Sequence, residues 1–254
     1  MPGSPTYLFH GGSRMHPTAS ALVVFGMAAL ALLVPFVVVL GHARVTSWTR
    51  SAPLAGGLAL WLAITGALAA SGVLRHWDSR PAPILPMLLV AVALTVALAR
   101  SEVGGRLARE LPLAAIIGFQ AFRLPLELVM HRAASEGTMP VQMSFSGWNF
   151  DILSGASAIV VSALVARGSA PRWLVTGWAV MSSVLLFVIV SIAIASMPAI
   201  AAFGHEPERL TTWVAFFPFS WLPMVLVPSA LFGQIVVFRR LALERASELH
   251  PSRA

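Results

Sequence analysis

Two ionisable side chains of opposite charge, Arg123 and Glu127, lie in the middle of an apolar segment that reads GFQAFRLPLELVMHR. Residues four apart on a helix are neighbours, so this spacing predicts that the two charges pair. An ionised group in the middle of a bilayer costs about 3 kcal/mol, which predicts that both side chains face other helices. Gln120 and His131 fall on the same face of the predicted helix and extend it into one polar stripe.

The segment Asn-Phe-Asp, with Asn149 and Asp151, follows a long loop and stands at the start of the next apolar run. An Asp at this position commonly caps the helix that follows by accepting from its free backbone N–H groups. Alternatively, both side chains reach Glu127 and His131 and complete one polar pocket. The candidate residues for a ligand or proton pocket are Arg123, Glu127, His131, Asn149 and Asp151.

Three functions fit such a pocket. A proton-linked or small-molecule transporter or sensor, the favoured hypothesis, would use Glu127 as its titrating group and Asn149 and Asp151 as ligand contacts. An intramembrane enzyme acting on a lipid or isoprenoid would use Glu127 or Asp151 as acid or base. A structural subunit of a membrane complex would use the charges only to fix helix packing. A pocket open to the outer water favours the first, one open sideways to lipid the second, and a dry closed pair the third.

No metal, cofactor or named reaction is predicted. Met139 and Met143, with His131 or His205, raise a copper hypothesis because thioethers and imidazole suit Cu(I), but no tight repeated Met or His array supports it. The absence of Cys excludes disulfides and the usual zinc and iron–sulfur sites. The absence of Lys excludes a Schiff-base lysine. No H-E-x-x-H, G-x-S-x-G or P-loop pattern occurs, so the catalytic residues stay unknown.

The elements that position these residues are predicted to be membrane helices. Of the 254 residues, 57% are hydrophobic and 11% are charged, whereas a soluble domain carries about 25% charged residues. A membrane helix needs about 20 mostly apolar residues, and seven windows qualify: residues 19–40, 54–74, 84–99, 111–130, 152–166, 173–197 and 213–238. The expected fold is an all-α polytopic membrane helix bundle of about seven transmembrane helices, with a flexible N-terminal segment (1–18), the bundle (19–240) and a cytoplasmic tail (241–254).

The distribution of Arg predicts the orientation of the bundle. Eleven Arg lie on the side of the C-terminus and five on the side of the N-terminus. Basic residues accumulate in cytoplasmic loops, so the N-terminus is expected outside and the C-terminus in the cytoplasm. The net charge of +7 is therefore assigned to topology. The expected partners are the lipid bilayer, a small-molecule ligand and other membrane proteins, with no nucleic acid.

Four prolines are candidate hinges. Pro218, Pro223 and Pro228 recur every five residues in the last window, and Pro125 lies between the two charges. Each proline removes a backbone hydrogen bond, and in a membrane the freed carbonyl must find another partner. The pattern predicts a bent last helix that packs near the charged one.

The segments FRLPLELVMHRAASEGTMPVQMSFSGWNFDILSG and TTWVAFFPFSWLPMVLVPSALFGQIVVFRRL resemble a family of bacterial multi-helix membrane proteins. The resemblance covers about half the chain, and the Phe-Arg…Glu, Asn-Phe-Asp and Pro-rich last-helix segments carry it. It implies a multi-pass protein of the bacterial cytoplasmic (inner) membrane. It also implies a shared design that includes Arg123, Glu127, Asn149 and Asp151, but no activity and no catalytic residues.

Overall fold

The computed structural model describes residues 19–249, and within that range the chain is helical and forms no β-strand. The predicted N-terminal segment (1–18) and the last residues of the predicted tail lie outside the described residues. Within these limits nine α-helices follow one another: α1 (Ala21–Val45), α2 (Trp48–Ala70), α3 (Ile84–Arg100), α4 (Glu102–Glu110), α5 (Leu113–Phe119), α6 (Arg123–Ser135), α7 (Ile152–Ala166), α8 (Arg172–Ala195) and α9 (Val227–Leu249).

Five of the helical segments between residues 19 and 249 are long and apolar enough to cross a membrane. They are α1, α2, α8, the continuous segment Leu113–Ser135 and the segment Leu222–Glu248. A sixth span results if α3 and α4, which meet at a bend of 53°, count as one. The remaining apolar helix, α7, has only 15 residues. The chain is therefore a multi-pass helical bundle, in which the predicted number of seven spans is not established.

The last span was predicted to begin at residue 213, but the helix begins later in the chain. The stretch that follows Thr212 forms a 3₁₀ turn at Trp213–Ala215 and further turns, and the helix starts only with a π-helical turn at Leu222–Leu226. Pro218 lies in the stretch that the helix excludes, as expected of a residue that cannot donate a backbone hydrogen bond. At its other end α9 continues to Leu249, well inside the predicted tail.

The remaining prolines occupy different helical positions. Pro223 lies in the π-helical turn, and Pro228 lies in the first turn of α9. Because Pro228 has no N–H to donate to the carbonyl of Met224, that carbonyl needs an outside partner. Trp61 of α2 provides it through its Nε1 at 2.8 Å. The prediction that carbonyls beside these prolines find partners on neighbouring helices is confirmed here.

The helix that carries the charged stripe is continuous but changes to a 3₁₀ turn next to Pro125. A 3₁₀ turn at Gln120–Phe122 joins α5 to α6, and Pro125 lies in the first turn of α6. The 3₁₀ turn contains Ala121, whose carbonyl would accept from position 125 in a regular helix, so the helix is irregular where Pro125 removes a hydrogen bond.

The loop between α6 and α7 folds back into the bundle. Met139 and Met143 belong to the largest apolar core cluster, together with side chains of α1, α6 and α8. Trp148 and Phe150 instead lie exposed on the outer surface of the loop. The methionines of the loop therefore pack inside the bundle, whereas these two aromatic residues do not. The helix α7 starts at the level of Arg123, because Gly155 near its start lies against the backbone of Arg123 and Leu124.

Candidate functional site

The guanidinium group of Arg123 lies fully inside the bundle, with 1% of the residue exposed. Its Nε donates to Oδ2 of Asp151 at 2.7 Å, and its Nη2 pairs with Oδ1 of the same carboxylate. Its Nη1 donates to Oγ of Ser182 on α8 at 2.6 Å. Such a two-pronged contact is among the stronger polar interactions in proteins. The predicted partner of Arg123 was Glu127; this is wrong, because the geometry pairs the guanidinium with Asp151.

Close backbone packing of α7 against α6 brings Asp151 to Arg123. At Gly155 a Cβ atom would lie 2.2 Å from the backbone nitrogen of Leu124, so only glycine permits this approach. Asp151 makes no capping bond to the backbone of α7, and its Oδ1 instead accepts from Oγ of Ser154 at 3.0 Å. The cap interpretation of Asp151 is therefore wrong, and the carboxylate faces the polar stripe.

Glu127 is equally buried, with 2% of the residue exposed. Its Oε2 accepts from Nδ2 of Asn149 at 2.8 Å. The same Nδ2 donates to the carbonyl of Met143 at 3.0 Å, and Oδ1 of Asn149 accepts from the backbone N–H of Asp151 at 3.0 Å. The Asn149 side chain thus joins the Glu127 carboxylate to the backbone that carries Asp151. The structure brings Arg123, Glu127, Asn149 and Asp151 into one buried cluster.

Two residues of the cluster were not among the predicted site residues. Ser182 accepts from Arg123 and also from Nε2 of Gln234 on α9, at 2.5 Å. Gln234 is visible in the sequence as a polar residue of an apolar helix, and that signal could have found it. Ser182 carries no such signal, because in the sequence it looks like Ser183 and Ser191 of the same helix. The hydroxyls of those two serines only donate to carbonyls of their own helix.

His131 lies apart from the buried cluster. Its ring stacks on Phe145 with the ring centroids 4.1 Å apart, and its Nδ1 is 3.1 Å from Oγ of Ser146. His205 is exposed, whereas Met143 is buried and its sulfur accepts from Oγ1 of Thr211 at 3.3 Å. Among residues 19–249 no group of three or more His, Cys, Asp or Glu side chains could hold a metal ion.

A cavity of about 540 Å³ lies between α3, α6, α8 and the start of the last helix. Its surface is almost entirely apolar, and of the lining residues between 19 and 249 all but six have apolar side chains. The six polar lining residues are Arg123, Glu127, Asp151, Ser183, Thr211 and Gln234.

The cavity opens sideways between α3 and α8. Leu89 of α3 and Phe187 of α8 both line it, and both are largely exposed, at 71% and 73%. Side chains that line a cavity and also lie on the outer faces of two apolar helices mark a lateral opening. The cavity thus extends from the outer surface of the bundle, between α3 and α8, to the buried charged cluster.

No protein-family model, no curated protein and no solved structure matches this chain. What the site can do chemically therefore follows from its geometry. Arg123 and Asp151 hold each other in a fixed orientation, while Glu127 bonds to an amide and to no cation among the described residues. A carboxylate of this kind, beside an apolar cavity, is able to exchange a proton with a bound molecule.

Proposed function

We propose that this protein binds the apolar chain of a lipid or isoprenoid in the lateral cavity, with the chain's polar end next to Glu127 and Asp151. The observation that carries the proposal is the sideways opening between α3 and α8. A site for a water-soluble molecule opens to water at one end of a bundle, whereas a molecule dissolved in the bilayer enters from the side.

The size and surface of the cavity support a chain-like ligand. A volume of about 540 Å³ falls within the range of about 300–1,000 Å³ that is usual for small-molecule sites. Its apolar lining, with a few polar groups at one wall, matches a ligand that is apolar along most of its length. Burial of such a chain among apolar side chains contributes roughly 25 cal/mol for each Å² removed from water.

The proposed chemical role belongs to Glu127. Asp151 is neutralised by Arg123, so its electron pairs are engaged in a charged hydrogen bond. Glu127 accepts from Asn149 and lines the cavity beside Leu126 and Met130. In an enzyme that acts on a lipid or isoprenoid, this carboxylate would serve as the acid or base.

Lipid retention tests the proposal. The protein is purified in a mild detergent, and the lipids that stay bound are extracted and quantified by mass spectrometry. Ala193→Phe places a ring in the cavity and should lower the retained lipid several-fold. Val184→Phe is the matched control, because Val184 is on the same helix, is exposed and does not line the cavity.

Leu88→Trp blocks the cavity from the α3 side, and it keeps the test valid if Ala193→Phe does not fold. Both blocking variants are compared with wild type for melting temperature and elution volume. Equal lipid retention in wild type, in a folded blocking variant and in the control would exclude the cavity as the binding site.

A proton-linked transporter or sensor is the second candidate, and the π-helical turn favours it. Pro223 and Leu222 lie in this turn and line the cavity, and π-helical turns are frequent at functional sites. A shift of this turn would change the cavity wall opposite Glu127. In this case Glu127→Gln should abolish a proton flux measured in vesicles and leave lipid retention unchanged.

The same proposal includes a topology of seven crossings in a bacterial cytoplasmic membrane, with the N-terminus outside and the C-terminus in the cytoplasm. Ser101 and Ser135 are both exposed at helix ends, and the chain has no native Cys. Ser101→Cys should therefore react with an impermeant thiol reagent only from the cytoplasmic side, and Ser135→Cys only from outside. Labelling of both variants from one side would overturn this topology.

A further inference from the structure

The two ends of the bundle differ in charge. One end of the bundle contains the C-terminal ends of α1, α3 and α7 and the N-terminal ends of α2 and α8. It also contains all of α4 and the second half of α9. Cross-links include Arg172 to the carbonyl of Leu241 and Arg239 to the carbonyl of Ser101. Among the described residues, ten Arg and four Glu lie at this end: Arg44, Arg50, Arg100, Arg106, Arg109, Arg167, Arg172, Arg239, Arg240, Arg245, Glu102, Glu110, Glu244 and Glu248.

The opposite end is balanced within the described residues. It carries four basic and four acidic side chains: Arg75, Arg80, Arg132, Arg209, Asp78, Glu136, Glu206 and Glu208. The excess of positive charge is thus confined to one end, which we call the Arg-rich end.

A second apolar groove begins at the Arg-rich end. It has a volume of about 280 Å³ and runs between α1, α4, α5 and α9. Among the described residues that line it, Arg44 is the one with a charge, and the others are apolar or glycine, including Leu40, Leu111, Ala115 and Phe232. The groove shares no lining residue with the lateral cavity described above. It is therefore a separate feature of the fold.

Arg44 is available to an outside anion. Its side chain is exposed and forms no ion pair with any residue between 19 and 249. Other Arg side chains at this end are engaged: Arg106 and Arg109 contact Glu102, and Arg240 donates to the carbonyl of Arg109. An exposed cation at the mouth of an apolar groove matches one kind of molecule, in which an anionic group is attached to an apolar chain.

We infer that the groove binds one acyl chain of an anionic phospholipid, with a headgroup phosphate, which no choline cation neutralises, at Arg44. The volume accommodates part of a single chain. The phosphate would lie at the level of the Arg-rich end, where the surplus of positive charge attracts anionic headgroups; each basic residue near such a surface contributes about 1 kcal/mol.

Native mass spectrometry of the purified protein tests the inference. The protein is reconstituted with equal amounts of phosphatidylglycerol and phosphatidylcholine of the same chain length, and the ratio of the two retained lipids is measured. Wild type should favour phosphatidylglycerol, and Arg44→Gln should lower this ratio about fivefold, as expected for the loss of one basic contact. Ala115→Trp, which fills the groove, should lower the retention of phosphatidylglycerol.

Arg167→Gln is the matched control. Arg167 is exposed at the same end and has no ion pair among the described residues, and it lines neither the groove nor the lateral cavity. Its removal changes the net charge equally and should leave the ratio unchanged. An unchanged ratio in Arg44→Gln, or an equal loss in Arg167→Gln, would overturn the inference in favour of diffuse charge attraction. Ala193→Phe should not alter the ratio, which separates this groove from the proposed chain site.

Discussion

Arg123 and Arg106 each pair with a carboxylate, but one pair is sealed inside the bundle and the other lies on its surface. The side chains of Arg123 and Asp151 are 1% and 6% exposed, against 33% and 66% for Arg106 and Glu102. Desolvation costs several kcal/mol per buried ion, whereas exposed ions keep much of their water. An arginine–carboxylate pair therefore has very different structural requirements in the two places.

The buried pair needs contributions from several helices. Arg123 comes from α6, Asp151 from the start of α7 and Ser182 from α8, and Gln234 of α9 bonds the same serine. The surface pair needs only residues one turn apart on α4. A buried ion pair adds little stability over an apolar core of the same shape, so a gain in stability does not by itself account for this pair.

The largest effect is expected at the buried pair. Arg123→Met leaves the Asp151 carboxylate buried without its cation, which typically costs about 3–5 kcal/mol. The double variant Arg123→Met, Asp151→Leu should recover much of this loss, as measured by unfolding in detergent. The double variant Arg123→Met, Glu127→Leu should not, because Glu127 is not the partner. If stability recovers in Arg123→Met, Glu127→Leu and not in Arg123→Met, Asp151→Leu, the partner of Arg123 is Glu127 and the pairing described above is wrong.

The next effect concerns the close approach that allows the buried pair. Gly155→Ala forces a methyl group against the backbone of Leu124 and should cost about 1–3 kcal/mol, as overpacking usually does. Gly177→Ala on α8 is the control, since a Cβ there meets nothing within 4 Å; it should be neutral or stabilise by up to about 1 kcal/mol. Equal melting temperatures for the two variants would show that α6 and α7 do not pack as described.

A pH-dependent effect is expected at Glu136, which follows α6. Its Oε2 accepts from the backbone N–H of Ser20 at 2.8 Å, and this bond, with help from Arg132, lowers the pKa of Glu136 from 4.5 to about 2. A carboxyl with a lowered folded-state pKa stabilises fully above its unfolded pKa and loses this contribution as the pH falls towards the folded value. The melting temperature of Glu136→Gln should therefore lie below that of wild type at neutral pH.

This difference in melting temperature should shrink between about pH 4.5 and 2. Glu206→Gln is a control, because Glu206 forms an exposed ion pair with Arg209 and no bond to the start of α1. A Glu136→Gln difference that stays constant across this range would contradict the hydrogen bond to Ser20.

The smallest effect is expected at the surface pair. Glu102→Gln weakens the exposed contacts to Arg106 and Arg109 and should cost about 0.2–1 kcal/mol. The loss should diminish in high salt, since exposed charges are screened. A loss as large as that of Arg123→Met would remove the contrast between buried and exposed pairs.

Much of the fold was predictable, because the length and apolarity of a segment decide whether it can form a membrane helix. Each predicted window contains a helix, and Gln120, Arg123 and Glu127 face the bundle as their apolar surroundings indicated. The start of the last helix was missed because an apolar composition does not distinguish a buried turn from a helix. The residues around Pro218 are apolar and yet form turns.

The pairing within the site could not be predicted from spacing. The i, i+4 rule joins Arg123 to Glu127 on an isolated helix. In the folded bundle, however, Arg123 pairs with the carboxylate of Asp151. This pairing depends on Gly155, which lets α7 approach α6. It also depends on Asn149, which donates a hydrogen bond to Glu127. Neither effect is visible in local sequence periodicity.

An experimental structure of the wild-type protein in lipid nanodiscs, at a resolution that shows bound lipid, tests the proposed function most directly. The proposal predicts chain-shaped density that enters between α3 and α8 and ends beside Glu127 and Asp151. A lateral opening closed by direct packing of Leu89 and Phe187, with water reaching Glu127 from one end of the bundle, would contradict it.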